Sequence, residues 1–205
     1  MSIDSDADLL LAHLDSVGVD AATQVDRAGS HMGGLIVDAA LQRRQRYKAT
    51  VAPRVRALIA AWPDAATTSG FLARLAEGDL GSVIRWSGSE RLQQIAAMAE
   101  VFKNQGIETV AELRDRLDGD PAGAQALRSA LRTVRDVGPK TVDYVGILAG
   151  VTTRAAIDSR VRRVMKAAGV VNHDYDHVAA VINDAATKRG WRTGDLDAVI
   201  WEAGA

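Results

Sequence analysis

The sequence predicts an all-α protein, and three observations lead there. Aromatic residues make up only 4% of the chain while alanine is abundant. That balance suits close-packed helices better than a sheet, whose pleated faces favour β-branched and aromatic side chains. Apolar residues recur at three- and four-residue spacing along most of the chain, with no strand-like alternation between them. Helix start and stop signals follow one another from end to end.

Ser5 is placed to cap a first helix carrying Leu9, Leu10, Leu14 and Val17, which Gly18 stops. Gly29-Ser-His-Met32 lies inside continuing helical pattern. Ser87-Gly-Ser-Glu90 reads as a capping box ahead of Leu92, Ile95, Ala96 and Ala99, with Gly106 as the stop, and Thr109-Val-Ala-Glu112 repeats the device. Asp120-Pro121 supplies a cap followed by proline at the first helical position, after which Ala124, Leu127, Leu131 and Val134 keep helical spacing as far as Val137-Gly138. Pro139 restarts a helix with Val142, Val145 and Leu148 on one side, ending at Gly150. Asp158 opens the next, which turns Val161, Val164, Met165 and Ala168 inward before Gly169. A further helix spans roughly Tyr175 to Arg189, and the last runs near Asp195 to Trp201.

A chain of 205 residues that is 47% hydrophobic has ample material for one large core or two small ones. Its net charge of −1 advertises no polyanionic partner, so any nucleic-acid contact must rest on local clusters. Two clusters exist: Arg43, Arg44, Arg46 and Lys48 with Arg54 and Arg56 beyond, and Arg160, Arg162, Arg163 and Lys166. The chain has no cysteine, which excludes disulfides, thiolate catalysis and cysteine-ligated clusters. His13, His31, His173 and His177 are scattered without metal-ligand spacing, so no zinc site is expected. The acidic start lacks a signal-peptide pattern, and no apolar stretch reaches membrane-spanning length, so no membrane association and a cytoplasmic location are expected.

The chemistry concentrates in Leu131-Arg-Thr-Val-Arg-Asp-Val-Gly-Pro-Lys-Thr-Val142 and Ala156-Ile-Asp-Ser-Arg-Val161. Val137-Gly138-Pro139-Lys140 reads as a short hairpin between two helices, with Gly138 permitting a tight turn. Backbone amides around Val137 to Thr141, at the positive end of the following helix, suit a phosphate. Lys140 offers an amine and Asp158, 18 residues on, a carboxylate. Each also has an ordinary structural reading, Lys140 as an exposed first-turn lysine and Asp158 as a helix N-cap.

Together these residues resemble the helix-hairpin-helix, Gly/Pro-rich loop, aspartate signature of the endonuclease III superfamily of DNA glycosylases, specifically from about Leu127 to Val170. The resemblance implies a two-lobed all-α helix-hairpin-helix glycosylase fold, with residues 34–151 as the central lobe and 1–33 with 152–205 as the second. It implies a monomer that removes a damaged or mismatched base from lesion-containing double-stranded DNA in the nucleoid. Lys140 would be the nucleophile of a Schiff-base abasic-site lyase step, and Asp158 would stabilise charge on the sugar. Val137, Gly138, Pro139, Thr141, Arg160 and Arg163 would contact DNA, while Gln42, Tyr47, Trp86 and Tyr144 are candidates for the base pocket or a wedge.

Three alternatives stay open: a monofunctional glycosylase using Asp158-activated water, a non-catalytic DNA-binding module, and a helical protein-interaction domain with no DNA role. The chain departs from the family in three places. Asp136 stands where glycine is usual, so that it either weakens phosphate binding or tolerates a left-handed turn as Asp can. Arg160 stands where histidine is frequent, and the four cysteines of the family's iron–sulfur site are missing, so no cofactor is carried over.

Overall fold

The computed structural model describes residues 2–19 and 29–204. Every regular element among them is helical, as the composition predicts. The α-helices are α1 (Ile3–Ser16), α2 (Met32–Leu41), α3 (Ala52–Ala61), α4 (Thr68–Glu77), α5 (Leu80–Ile84), α6 (Ser89–Asn104) and α7 (Val110–Asp118). They continue with α8 (Pro121–Arg132), α9 (Pro139–Leu148), α10 (Ser159–Ala167), α11 (Tyr175–Arg189) and α12 (Thr193–Ala203). A π-helical turn, Tyr47–Val51, precedes α3, and a 3-10 turn, Pro63–Ala66, follows it.

The chain divides into two compact units, Arg27–Gly150 and the pair of segments Met1–Asp26 and Val151–Ala205. The first unit begins ahead of the expected Gly34. His31 explains the difference: its Nδ1 accepts the Gly34 amide at 3.0 Å and its Nε2 lies 3.0 Å from the Trp62 carbonyl, tying this segment to the turn after α3. His31 is thus the N-cap of α2, so residues 29–31 lie outside the helix and only Met32 of that stretch lies within it.

Unit Arg27–Gly150 is built around α2, which is buried at every position from Met32 to Leu41. A helix apolar all round belongs at the centre of a bundle, and α3, α4, α6 and α9 pack against it. Gly33 lets α4 and the 3-10 turn before it come close to α2. A Cβ there would sit 2.7 Å from the Phe71 ring and 3.1 Å from the Ala65 carbonyl. In the other unit α1 packs on α11, and α12 on both α10 and α11. Leu10, Leu14, Val161, Met165, Val181, Ile182, Leu196 and Ile200 form part of its core.

Local signals place most helix ends. Thr109 and Glu112 form the reciprocal capping box, Asp120 caps α8 ahead of Pro121, and Gly18, Gly106, Gly150, Gly169 and Gly190 all follow helices with positive φ. Two starts differ from the sequence reading. α1 begins earlier, with Ser2 accepting the Ser5 amide, because Asp4 and Asp6 suit the positive end of the helix. α6 begins at Ser89 with Gly88 as its uncapped N-terminus, which leaves Ser87 too far back to form the expected box.

Candidate functional site

α8 stops at Arg132, before the break expected at Val137-Gly138. The apolar spacing runs on because Val134 and Val137 are buried inside the connecting loop, anchoring it to the unit beneath. The Val137 amide closes a turn on the Val134 carbonyl at 3.1 Å. The left-handed residue of that turn is Asp136, with φ of 64°, a conformation that Asp and Asn tolerate better than other side chains. Of the two roles that the sequence leaves open for Asp136, the left-handed one is thus seen, and the tight turn expected of Gly138 does not rest on that glycine. In the structure Gly138 has φ of −97° and ψ of 179°, extended backbone open to any residue, and a Cβ there meets nothing within 4 Å.

Gly138 brings no side-chain cap to α9. The first-turn amides of a helix have no intrahelical acceptor and concentrate positive potential. The arms of the hairpin are locked beneath them by Arg128 on α8, whose guanidinium meets the buried carboxylate of Asp143 on α9 at 2.6 Å. A concavity of about 550 Å³ opens over the loop, with Gln42, Arg43, Arg132, Arg135, Gly138 and Lys140 among its lining residues.

Two rungs join α9 to α2. Lys140 donates from Nζ to Gln42 Oε1 at 3.1 Å, and Tyr144 donates its hydroxyl to Asp38 Oδ1 at 3.0 Å. Tyr47 donates to the second oxygen of the same carboxylate at 2.9 Å. Asp38 is 4% exposed, a carboxylate inside an otherwise apolar helix. Four of the sequence-selected residues, Gln42, Tyr47, Lys140 and Tyr144, therefore gather around α2. Asp38, which holds the two tyrosines, is not among the sequence candidates. Its signal is legible in Met32-Gly-Gly-Leu-Ile-Val-Asp-Ala-Ala-Leu41, where one ionisable group interrupts an apolar run. Trp86 stands apart from this group, its ring under the Arg54 guanidinium at 5.6 Å.

Asp158 lies in the other unit, at the start of α10. Its Oδ1 accepts both the Arg160 amide at 2.8 Å and the Val161 amide at 3.1 Å, an N-cap using one oxygen only. Arg160 stacks its guanidinium over Trp201 at 4.0 Å, and Arg163 donates to the Gly204 carbonyl at 2.9 Å. Both arginines thereby also hold α10 to the end of α12. No group of three or more His, Asp or Glu side chains suited to a metal occurs among the described residues, and the chain lacks the thiolates that an iron–sulfur cluster needs.

Residues 15–205 match the family described as Domain of unknown function (DUF8548), and the chain belongs to that family. No curated protein matches the sequence.

Proposed function

We propose that this member of the DUF8548 family binds lesion-containing double-stranded DNA at the α8–α9 hairpin and excises a damaged or mismatched base. The fold would be the two-lobed one of the endonuclease III superfamily that its hairpin segment resembles. The observation that carries the reading is the hairpin itself. It combines a turn with a left-handed residue where the family has glycine, an uncapped helix start, and a concavity lined by Arg43, Arg132, Arg135 and Lys140. Amides and cations so arranged recognise a phosphate and carry no sequence information, which suits an enzyme that must sample any duplex.

In this reading the target nucleotide is extruded and its C1′ exposed. The neutral Lys140 amine forms a bond to C1′ as the glycosidic bond breaks, and the base leaves with the electron pair and takes up a proton. Asp158 stabilises the positive charge that develops on the sugar. Its Oδ1 is engaged by the helix cap, while Oδ2 has no hydrogen-bond partner among the described residues and is the oxygen for this task. Ring opening then yields an imine at C1′. Loss of a C2′ proton expels the 3′ phosphate and cuts the strand.

One observation favours a second reading. Lys140 donates to Gln42 at the rim of the concavity, where an ammonium also suits a phosphate. Lys140 would then only bind DNA, and a water activated by Asp158 would displace the base. Borohydride treatment during turnover of a panel of lesion duplexes separates the two. A covalent protein–DNA adduct that is absent from Lys140→Gln supports the lyase. Excision that yields strand breaks only after alkali supports the water mechanism, and no excision across the panel defeats both.

A further inference from the structure

Arg43 comes from the loop after α2, yet its guanidinium reaches the hairpin and meets Asp136 Oδ1 at 2.8 Å, 93 residues along the chain. The two side chains are 46% and 40% exposed. An ion pair that open to water contributes little to folding and exchanges readily for another partner. Both residues line the concavity over the hairpin, where Asp136 is the one acid against Arg43, Arg132, Arg135 and Lys140.

The surroundings are crowded with positive charge. The Arg91 guanidinium is held below the usual arginine range by burial and then by repulsion from Arg43, with Arg44 adding to it and Asp136 and Glu90 opposing it. The Asp136 carboxyl is held below its ordinary range by the hydrogen bond from Arg43. A carboxylate and a phosphodiester each offer two oxygens and one negative charge to a guanidinium fork. Replacing one with the other leaves the local charge balance unchanged.

We infer that Arg43 is a phosphate ligand of the hairpin and that Asp136 is an internal stand-in occupying it until a backbone phosphate arrives. The inference rests on the DNA-binding reading and adds to it a residue and a self-competition. The hairpin binds DNA more weakly than its amides and cations allow, because each encounter must displace the protein's own carboxylate. It also releases fewer counterions than its cations would suggest, since Arg43 is already neutralised before DNA arrives.

The test is duplex binding by the full chain, followed by fluorescence anisotropy over a salt series. Asp136→Asn keeps the size of the side chain and its tolerance of the left-handed turn. We expect it to bind roughly 3- to 10-fold tighter at low salt, with a log–log salt slope steeper by about one counterion. Asp136→Gly serves as a second variant with no backbone strain and the same expected gain. Adding Arg43→Gln should abolish the gain in either background. Binding and salt slope identical to the parent in both single variants would overturn the stand-in, and so would a gain that survives Arg43→Gln. If the parent and the variants all fail to bind DNA, the DNA-binding reading falls and the inference falls with it.

Discussion

Tyr144 and Asp38 form a rung between α9 and α2, one helical turn from the rung between Lys140 and Gln42. Because partners four residues apart on one helix meet partners four residues apart on the other in reverse order, α2 and α9 run antiparallel at this contact. Their register sets where the hairpin lysine sits. Tyr144→Phe removes one hydroxyl and should cost about 1 kcal/mol in urea unfolding. Asp38→Ala strips both tyrosine hydroxyls of their acceptor inside the bundle and should cost about 2–4 kcal/mol. Equal losses in the two variants would show that the carboxylate is not the anchor.

Asp158 permits chemistry to be separated from folding at one position. Asn caps helices about as well as Asp, so Asp158→Asn should unfold within ~0.5 kcal/mol of the parent, whereas Asp158→Ala should lose about 1 kcal/mol. Excision should be lost in both, because neither variant presents the negative charge that the developing cation needs. A folded Asp158→Asn protein with full excision activity would restrict Asp158 to capping.

Gly138 and Gly33 make an opposed pair. Gly138 has extended backbone and open space beyond it, so Gly138→Ala should change stability by less than ~0.5 kcal/mol. Gly33 faces the buried Phe71 ring and the Ala65 backbone, neither of which can yield easily, so Gly33→Ala should cost about 1–3 kcal/mol. Thermal unfolding of the two proteins side by side checks both. If Gly138→Ala folds normally yet loses DNA affinity, the glycine serves close approach of a phosphate and not the turn.

These particulars show what the sequence could and could not carry. Helix ends governed by one or two neighbouring residues, such as Thr109 with Glu112 or Asp120 with Pro121, were legible because the capping chemistry is local. The end of α8 was not, since Val134 and Val137 keep helical spacing while serving a buried loop. Gly138 draws the tight turn because glycine suits one, yet the left-handed residue is Asp136, for which the sequence leaves that geometry as one of two options. Gln42, Tyr47, Lys140 and Tyr144 were visible as residue types. The pairing of Lys140 with Gln42 and of Tyr144 with Asp38 depends on α2 meeting α9 across 98 and 106 positions, and no local rule encodes that contact.

The acid limb of stability offers the last prediction. Glu108 accepts from the Ser69 hydroxyl at 2.6 Å, the Ser69 amide at 2.9 Å and Lys103 at 3.3 Å, joining the start of α4 to the residues after α6. These bonds, chiefly that from the Ser69 hydroxyl, hold its carboxyl below the ordinary value of 4.5. A carboxyl depressed in the folded state contributes stability that is complete above its unfolded value and is lost as pH falls through the folded value. Glu108→Gln should therefore cost about 1 kcal/mol at pH 7, the modest figure that suits a partly exposed group. The gap between the parent and the variant should close below pH 4.5. Asp64 and Asp79 are also depressed, but both proteins retain them, so their contributions cancel in the difference. Urea unfolding of the pair from pH 7 to 3 reads that difference directly. A gap that stays constant across the range would mean that the Glu108 charge contributes nothing and that shape alone accounts for the loss.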